Sequence, residues 1–530
     1  MSVTVAAVDL GATSGRVLTG TLRERKLTLH ECARFPNGPV PLPRERGQDL
    51  VWDLPYLWQH IVEGVRSAAA ASPIDSIGID SWAVDYGLLD SNGRLLASPA
   101  AYRSDRTTDA VSAILDAVDR RWLYKANGLQ LQPFNTIFQL LADRDDPRSA
   151  GAQRMLLVPD LIGYWLTGRQ RCEITNASTT GLLDPQTREW NRRVVALLAE
   201  RFAINVPALL PPLIEPGAIT GAVQIAGLSL RTSTGAPTPL IAVGSHDTAS
   251  AVVAVPAAGT VVAGAGAGAS AGENPHEWAA EAERGPRFAY ISAGTWSLVG
   301  VELPRPVLCT AAQRANFTNE LGVDGSVRFL KNVMGSWMAE QCLEQWRTRT
   351  PQPSWAVLDA ETGAAPALRT LIDVDDPCFA APGDMPALLD AAARRSGESV
   401  PRNRGEYLRA ITDSLVLANR RALRAVAQIS GVTPTQINIV GGGSRNTLLC
   451  QLTADATGLP VIAGPVEATA IGNMLVQLRS IGALTGNLPE LRSVVATSFT
   501  TKLYEPSRSG PERWAQAADR LERRAGSLDE

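Results

Sequence analysis

An apolar run from Val3 to Leu10 carries an acid at its end and opens at once into Gly11-Ala12-Thr13-Ser14-Gly15. Near residue 288 the same kind of pattern begins again, with Phe288 to Ser292 leading into Ala293-Gly294-Thr295. A buried strand that ends in glycine and hydroxyl residues lets backbone come close to a ligand, because glycine accepts positive φ and adds no side chain. Meeting this twice in 530 residues, a length too great for one ordinary core, predicts two α/β domains. Further strands are expected at Ile74 to Asp80, Leu240 to Val243 and Ile437 to Val440. Leu408, Ile411, Leu415, Ala418, Ala422, Ala425 and Ile429 mark one face of a long helix that Gly431 ends.

Net charge is −3 and charged residues make up 19%, which gives no basic surface for nucleic acid or an acidic membrane. No uninterrupted apolar stretch is long enough to span a bilayer, and the N-terminal run reads as a first strand rather than a signal peptide. The six cysteines show neither zinc spacing nor C-x-x-C pairs, as expected of scattered thiols in a reducing compartment, so a cytoplasmic protein is expected. The only lysines are Lys26, Lys125, Lys331 and Lys502, and none closes a G-x-x-x-x-G-K loop. Any nucleotide phosphates must therefore meet backbone N–H groups, hydroxyls and magnesium.

Five constellations carry candidate chemistry. Asp9 through Arg16 is either a phosphate cradle with a magnesium-holding acid or an ordinary hairpin capped by Asp9; the whole run favours phosphate. Ser292 to Ser297 offers a second such turn, and Gly441-Gly442-Gly443-Ser444 offers bare backbone for a flat ligand or simply a strand–helix connection. Gly244-Ser245-His246-Asp247-Thr248 places an acid between a strand end and a helix start, suited to a general base and equally to a helix cap. Asp80 to Asp85, with Tyr102-Arg103 and Phe134-Asn135-Thr136, groups acids, an arginine and aromatics that suit a polyol pocket or plain core packing.

Taken together, VDLGATSGRV, DSIGIDSWAVDYGLLD, SHDTASAV, SAGTWSL, LKNVMGSW and INIVGGGSRNTLLCQL followed by GPVEA resemble the FGGY carbohydrate kinases of the actin-like ATPase superfamily, in the family's order along nearly the whole chain. The resemblance implies two RNase-H-like α/β domains flanking a catalytic cleft. One is expected over residues 1–245, with the sugar site and first phosphate loop. The other is expected over 246–530, with the ATP site and a Gly/Ala-rich insertion near 259–287. It implies transfer of the γ-phosphate of ATP, with Mg²⁺, to a ketose. L-rhamnulose, phosphorylated on its 1-hydroxyl, is the first expectation, with L-fuculose, D-xylulose or L-ribulose as alternatives. A non-catalytic sugar and ATP sensor is the alternative of another class, and a monomer or small homo-oligomer is expected.

By position, the resemblance makes Asp247 the proton acceptor and Asp9 the metal-holding acid. It brings Ala12, Thr13, Ser14, Gly15, Arg16, Thr295, Glu340 and Gly442 to the nucleotide, and Ala83, His246, Thr248 and Asn332 to the sugar. Four departures stand out. Ala83 replaces a glycine usual beside the sugar. Glu340 replaces a glutamine near ATP, with Gln341 adjacent. The family's YRDSRT stands here as YRSDRT, which moves the acid to Asp105. The 259–287 insertion separates the base from the second turn.

Overall fold

The computed structural model describes residues 2–43, 47–256, 288–347, 353–508 and 510–526; the Gly/Ala-rich insertion expected near 259–287 lies outside them. The chain divides into two compact units built from interleaved segments. The first takes Met1–Gly285, Glu302–Leu330 and Glu467–Thr500, and the second takes Pro286–Val301, Lys331–Val466 and Thr501–Glu530.

In the first unit, β1 (Val3–Leu10), β2 (Ser14–Arg23) and β3 (Lys26–Pro36) form an antiparallel meander. β4 (Ser76–Ser81) pairs parallel to β1, β6 (Pro239–Ile241) parallel to β4, and β5 (Ile219–Ala222) closes that edge antiparallel, giving the order β5-β6-β4-β1-β2-β3. Val5 through Val8 and Leu10 are wholly buried, as a strand covered on both faces requires. The helix Leu54–Ala71 packs on β1, β2 and β3, and its Gly64 lies against Val17 and Ala33. The helix Ala468–Ser480 covers β1 and β4, with Met474 against Gly20 and Asn473 and Gln477 against Gly78.

The second unit repeats the scheme. β7 (Phe288–Ala293) and β8 (Trp296–Leu303) form a hairpin, β9 (Gln436–Val440) and β10 (Val461–Ala463) add in parallel, and β11 (Lys502–Tyr504) closes the edge antiparallel. Hairpin, two parallel additions and an antiparallel edge strand thus occur in both, which is the expected two-unit RNase-H-like plan. The long helix spans Arg404–Ser430, where Asn403 accepts from the N–H of Glu406 and Gly431, at φ +73°, ends it. Such caps are worth about 1 kcal/mol at the N-terminus and release the chain through a left-handed residue at the other end. Among the described residues no helix is long and apolar enough to cross a membrane.

Candidate active site

The first unit gathers acids at one strand end. Asp9 on β1 stands in register with Asp80 on β4, and they are 3% and 0% exposed. Arg16, directly across on β2, donates to Asp9 Oδ2 at 2.8 Å and also pairs with Glu467. Asn473 donates to Asp80 Oδ2 at 2.5 Å and is itself held by Gln477, whose carbonyl takes the Ser76 hydroxyl. Asp80 Oδ1 is buried with no hydrogen-bond partner among the described residues. Burial drives both carboxyls above the usual carboxylate range. For Asp9 the Arg16 cation opposes this, while for Asp80 the Asp9 charge adds to it; Asp247 pushes both up.

Asp247 opens the helix Asp247–Val253, one residue after His246 at the cap position. Its Oδ1 takes the N–H and hydroxyl of Thr248 at 2.6 and 3.1 Å, with His246 Nε2 at 3.3 Å. No partner meets its Oδ2 among the described residues, and the side chain is 34% exposed. The loop before it is fixed from behind. Glu173 Oε2 accepts from the N–H and hydroxyl of Ser245 at 2.9 and 2.8 Å, and Ser245 in turn accepts from the N–H of Ser81. The Asp247 loop therefore runs beside the end of β4, where Asp80 sits.

Beyond β4, Ala83 is followed by Val84 at φ +68°, a conformation that a β-branched residue adopts only when its surroundings impose it. The Thr136 hydroxyl holds the Val84 carbonyl at 2.7 Å. Asp85, 1% exposed, receives Trp52 Nε1 at 2.6 Å, Trp82 Nε1 and the Tyr102 N–H at 3.1 Å each, and Gln139 at 2.9 Å. Trp52 and Trp82 lie with ring centres 4.2 Å apart. Burial pushes the Asp85 carboxyl up to about 6 despite those donors.

In the hairpin turn of the first unit, the carbonyls of Gly11, Thr13 and Ser14 accept from the Asn37 side chain, the Asn37 N–H and the Gly11 N–H. The N–H groups of Ala12 and Thr13 meet no acceptor among the described residues, so the turn offers donors outward, as an anion cradle needs. In the second unit, the carbonyls of Gly294 and Thr295 accept from the N–H groups of Ser336 and Trp337, and the N–H of Thr295 is left without an acceptor among the described residues. The Ser336 hydroxyl joins Gly294 O at 3.0 Å to Glu340 Oε1 at 2.6 Å. A Cβ on Gly335 would stand 2.6 Å from Gly294 O, and one on Gly441, at φ +81°, would stand 3.1 Å from Ala293 O. A side chain at Gly335 would collide with backbone and one at Gly441 would be strained, while a Cβ on Gly442 would meet nothing within 4 Å among the described residues. Thr295, Glu340 and Gly442 thus belong to one neighbourhood of the second unit, while Asn332 lies on the strand Val327–Met334.

Residues 4–254 match the N-terminal domain of the FGGY family of carbohydrate kinases, and residues 289–481 match its C-terminal domain. The chain belongs to the FGGY carbohydrate kinases. It is 38% identical over 507 residues to a rhamnulokinase of Bacteroides thetaiotaomicron, covering 94% of this chain and 95% of that one. It is 38% identical over 509 residues to a rhamnulokinase of Enterococcus faecalis, covering 95% and 94%. The fold is that of a gluconate kinase structure from Lactobacillus acidophilus, with TM-score 0.76 at 15% identity, covering 100% and 98% of the two chains. A ligand-bound xylulose kinase from the same organism gives 0.74 at 14%, covering 99% and 98%.

Four residues that brace these acids were not picked out from the sequence: Glu173, Glu467, Asn473 and Gln477. Asn473 and Gln477 left a usable signal. They are polar residues four apart among Ile471, Met474, Leu475, Val476 and Leu478 on the same helix, the pattern of a buried polar pair.

Proposed function

We propose that this kinase transfers the γ-phosphate of ATP to the 1-hydroxyl of L-rhamnulose, with Asp247 as general base. The likeness to two rhamnulokinases over nearly the full chain supports the sugar. The observation that carries the mechanism is the divided carboxylate of Asp247, with three donors around Oδ1 and, among the described residues, none at Oδ2. An oxygen so presented can take the hydroxyl proton as the sugar oxygen forms its bond to phosphorus and the bond to ADP breaks. The outward N–H groups of Ala12 and Thr13, with the hydroxyls of Thr13 and Ser14 and the cation of Arg16, suit phosphate oxygens. Thr295, Glu340 and Gly442 are proposed for the nucleotide. Ala83, His246, Thr248 and Asn332 are proposed for the sugar.

The acids fit a magnesium ion. Asp80 Oδ1 is a hard oxygen without a hydrogen-bond partner among the described residues, Asp9 has one oxygen not taken by Arg16, and Mg²⁺ accepts one or two carboxylates while keeping water and phosphate ligands. When bound there, the ion would neutralise charge on the phosphoryl oxygens. We place the enzyme in the cytoplasm, working on free sugar in rhamnose metabolism.

The test is ADP release from MgATP with L-rhamnulose beside L-fuculose, D-xylulose, L-ribulose and no sugar. Preference for L-rhamnulose is expected. Preference for another ketose would keep the kinase and assign the difference to the methyl of Ala83 and the strained Val84 beside it. Binding of both ligands without turnover would leave a sensor.

A further inference from the structure

Behind Asp247 lies a charged chain that the phosphoryl transfer does not itself need. His246 is buried, with Nε2 3.3 Å from Asp247 Oδ1. Its Nδ1 meets two groups, Arg328 Nη2 at 3.0 Å and Glu320 Oε2 at 3.2 Å, which pair with each other at 3.1 Å. Arg328 is wholly buried and also donates to the Leu321 carbonyl through Nε and Nη2. Glu320 is 5% exposed; burial alone would raise its carboxyl, but Arg328 and His246 hold it below the ordinary value.

A guanidinium has donors only, so Nδ1 facing Arg328 presents its lone pair, and the ring proton of a neutral imidazole sits on Nε2. If the ring gains a second proton, Nδ1–H turns to Glu320 and Nε2 keeps its own. The form with its only proton on Nδ1 could meet Glu320, but it sets a bare Nε2 lone pair against Asp247 Oδ1 and Nδ1–H beside the guanidinium, so Nε2 keeps the proton.

We propose that Glu320 and Arg328 are positioning residues that fix the ring of His246 and so hold its Nε2–H on Asp247 Oδ1, which keeps Oδ2 as the reactive oxygen. This rests on Asp247 being the base. The second observation behind it is the Glu173–Ser245 anchor on the other side of the same loop, which leaves the side-chain orientation of Asp247 to be set by His246 and Thr248.

The test is a double-mutant cycle on kcat, Glu320→Gln against His246→Gln. We expect E320Q to lower kcat about tenfold through misorientation of the base, with the KM for MgATP unchanged. We expect the double variant to turn over no more slowly than H246Q alone. Because E320Q strands the buried guanidinium, the pair E320Q with R328M removes both charges together and is carried through the same cycle. Effects on kcat that multiply between position 320 and position 246, or E320Q turning over like wild type, would overturn the proposal. D247N is assayed beside them. Wild-type turnover there would overturn the base itself, whereas an inactive D247N with a multiplicative cycle would overturn the positioning role alone.

Discussion

The two hairpin turns, Gly11–Thr13 in the first unit and Gly294–Thr295 in the second, share a backbone design and differ in what stands behind it. Both spend their carbonyls on N–H donors from within their own unit and leave N–H groups without an acceptor among the described residues. Behind the first stand Asp9, Asp80, Arg16 and Glu467. Behind the second stand Gly335, Gly441 and Gly443, with the Ser336–Glu340 pair as its polar brace. One topology thus supplies charge in one copy and bare shape in the other. Charge aimed at a reacting group alters the barrier, while shape alters how well a ligand sits. Substitutions around the first turn should therefore move kcat and pH dependence, and those around the second should move the KM for ATP.

The largest expected effect tests the charged side. Asp247→Asn keeps the Oδ1 contacts and removes the base, so kcat should fall by about 10²–10⁴-fold with ligand binding retained. Steady-state kinetics with isothermal titration of both ligands checks it. Loss of binding with unchanged kcat would erase the contrast between the turns.

The next effect is a pH dependence confined to the charged unit. Asp85 titrates near 6 when folded and near 3.8 otherwise. A carboxyl with a raised folded value contributes stability below the unfolded pKa and loses it as pH rises through the folded one. The stability advantage of wild type over Asp85→Asn should therefore be greatest below the unfolded value of 3.8 and shrink by roughly 3 kcal/mol in all by pH 7, at 1.36 kcal/mol per unit. Denaturant midpoints across that range measure it, and a difference that ignores pH would show that Asp85 is charged throughout.

The two sides also differed in how far the sequence disclosed them. Both turns were legible, since Val3–Leu10 and Phe288–Ala293 are short, mostly apolar runs followed at once by Gly11 and Gly294. So was the helix Arg404–Ser430, whose period and closing Gly431 are local signals. The partners of the first turn were not. Glu467 meets Arg16 across 451 residues and Asn473 meets Asp80 across 393, and no spacing rule reaches that far. β3 was missed because most of its residues from Lys26 to Pro36 are exposed or only partly buried, which blurs the apolar alternation. The interleaved units were invisible for the same reason as the ion pairs: segments near residues 302–330 and 467–500 join the first unit through contacts between residues far apart in the sequence.

A smaller effect probes shape. Gly441→Ala forces a side chain into φ +81° and sets its Cβ 3.1 Å from Ala293 O. The cost should be about 1–3 kcal/mol, felt as a lower unfolding midpoint and a higher KM for ATP, with kcat within about twofold of wild type because no reacting group has moved. A large fall in kcat with KM unchanged would place this turn among the charged machinery after all.

The smallest effect separates hydroxyl from backbone at the second turn. Thr295→Val keeps shape and N–H and removes one donor. If the turn binds nucleotide as proposed, one neutral hydrogen bond of about 1 kcal/mol is lost, which is about a fivefold rise in the KM for ATP. The sugar KM and kcat should stay put. Were kcat to fall instead, the Thr295 hydroxyl would be acting on the transferring phosphoryl group, and the second turn would share the role proposed for Ala12 through Arg16. An unchanged KM would mean that backbone alone recognises the ligand there, which is the purest form of the contrast between the two turns.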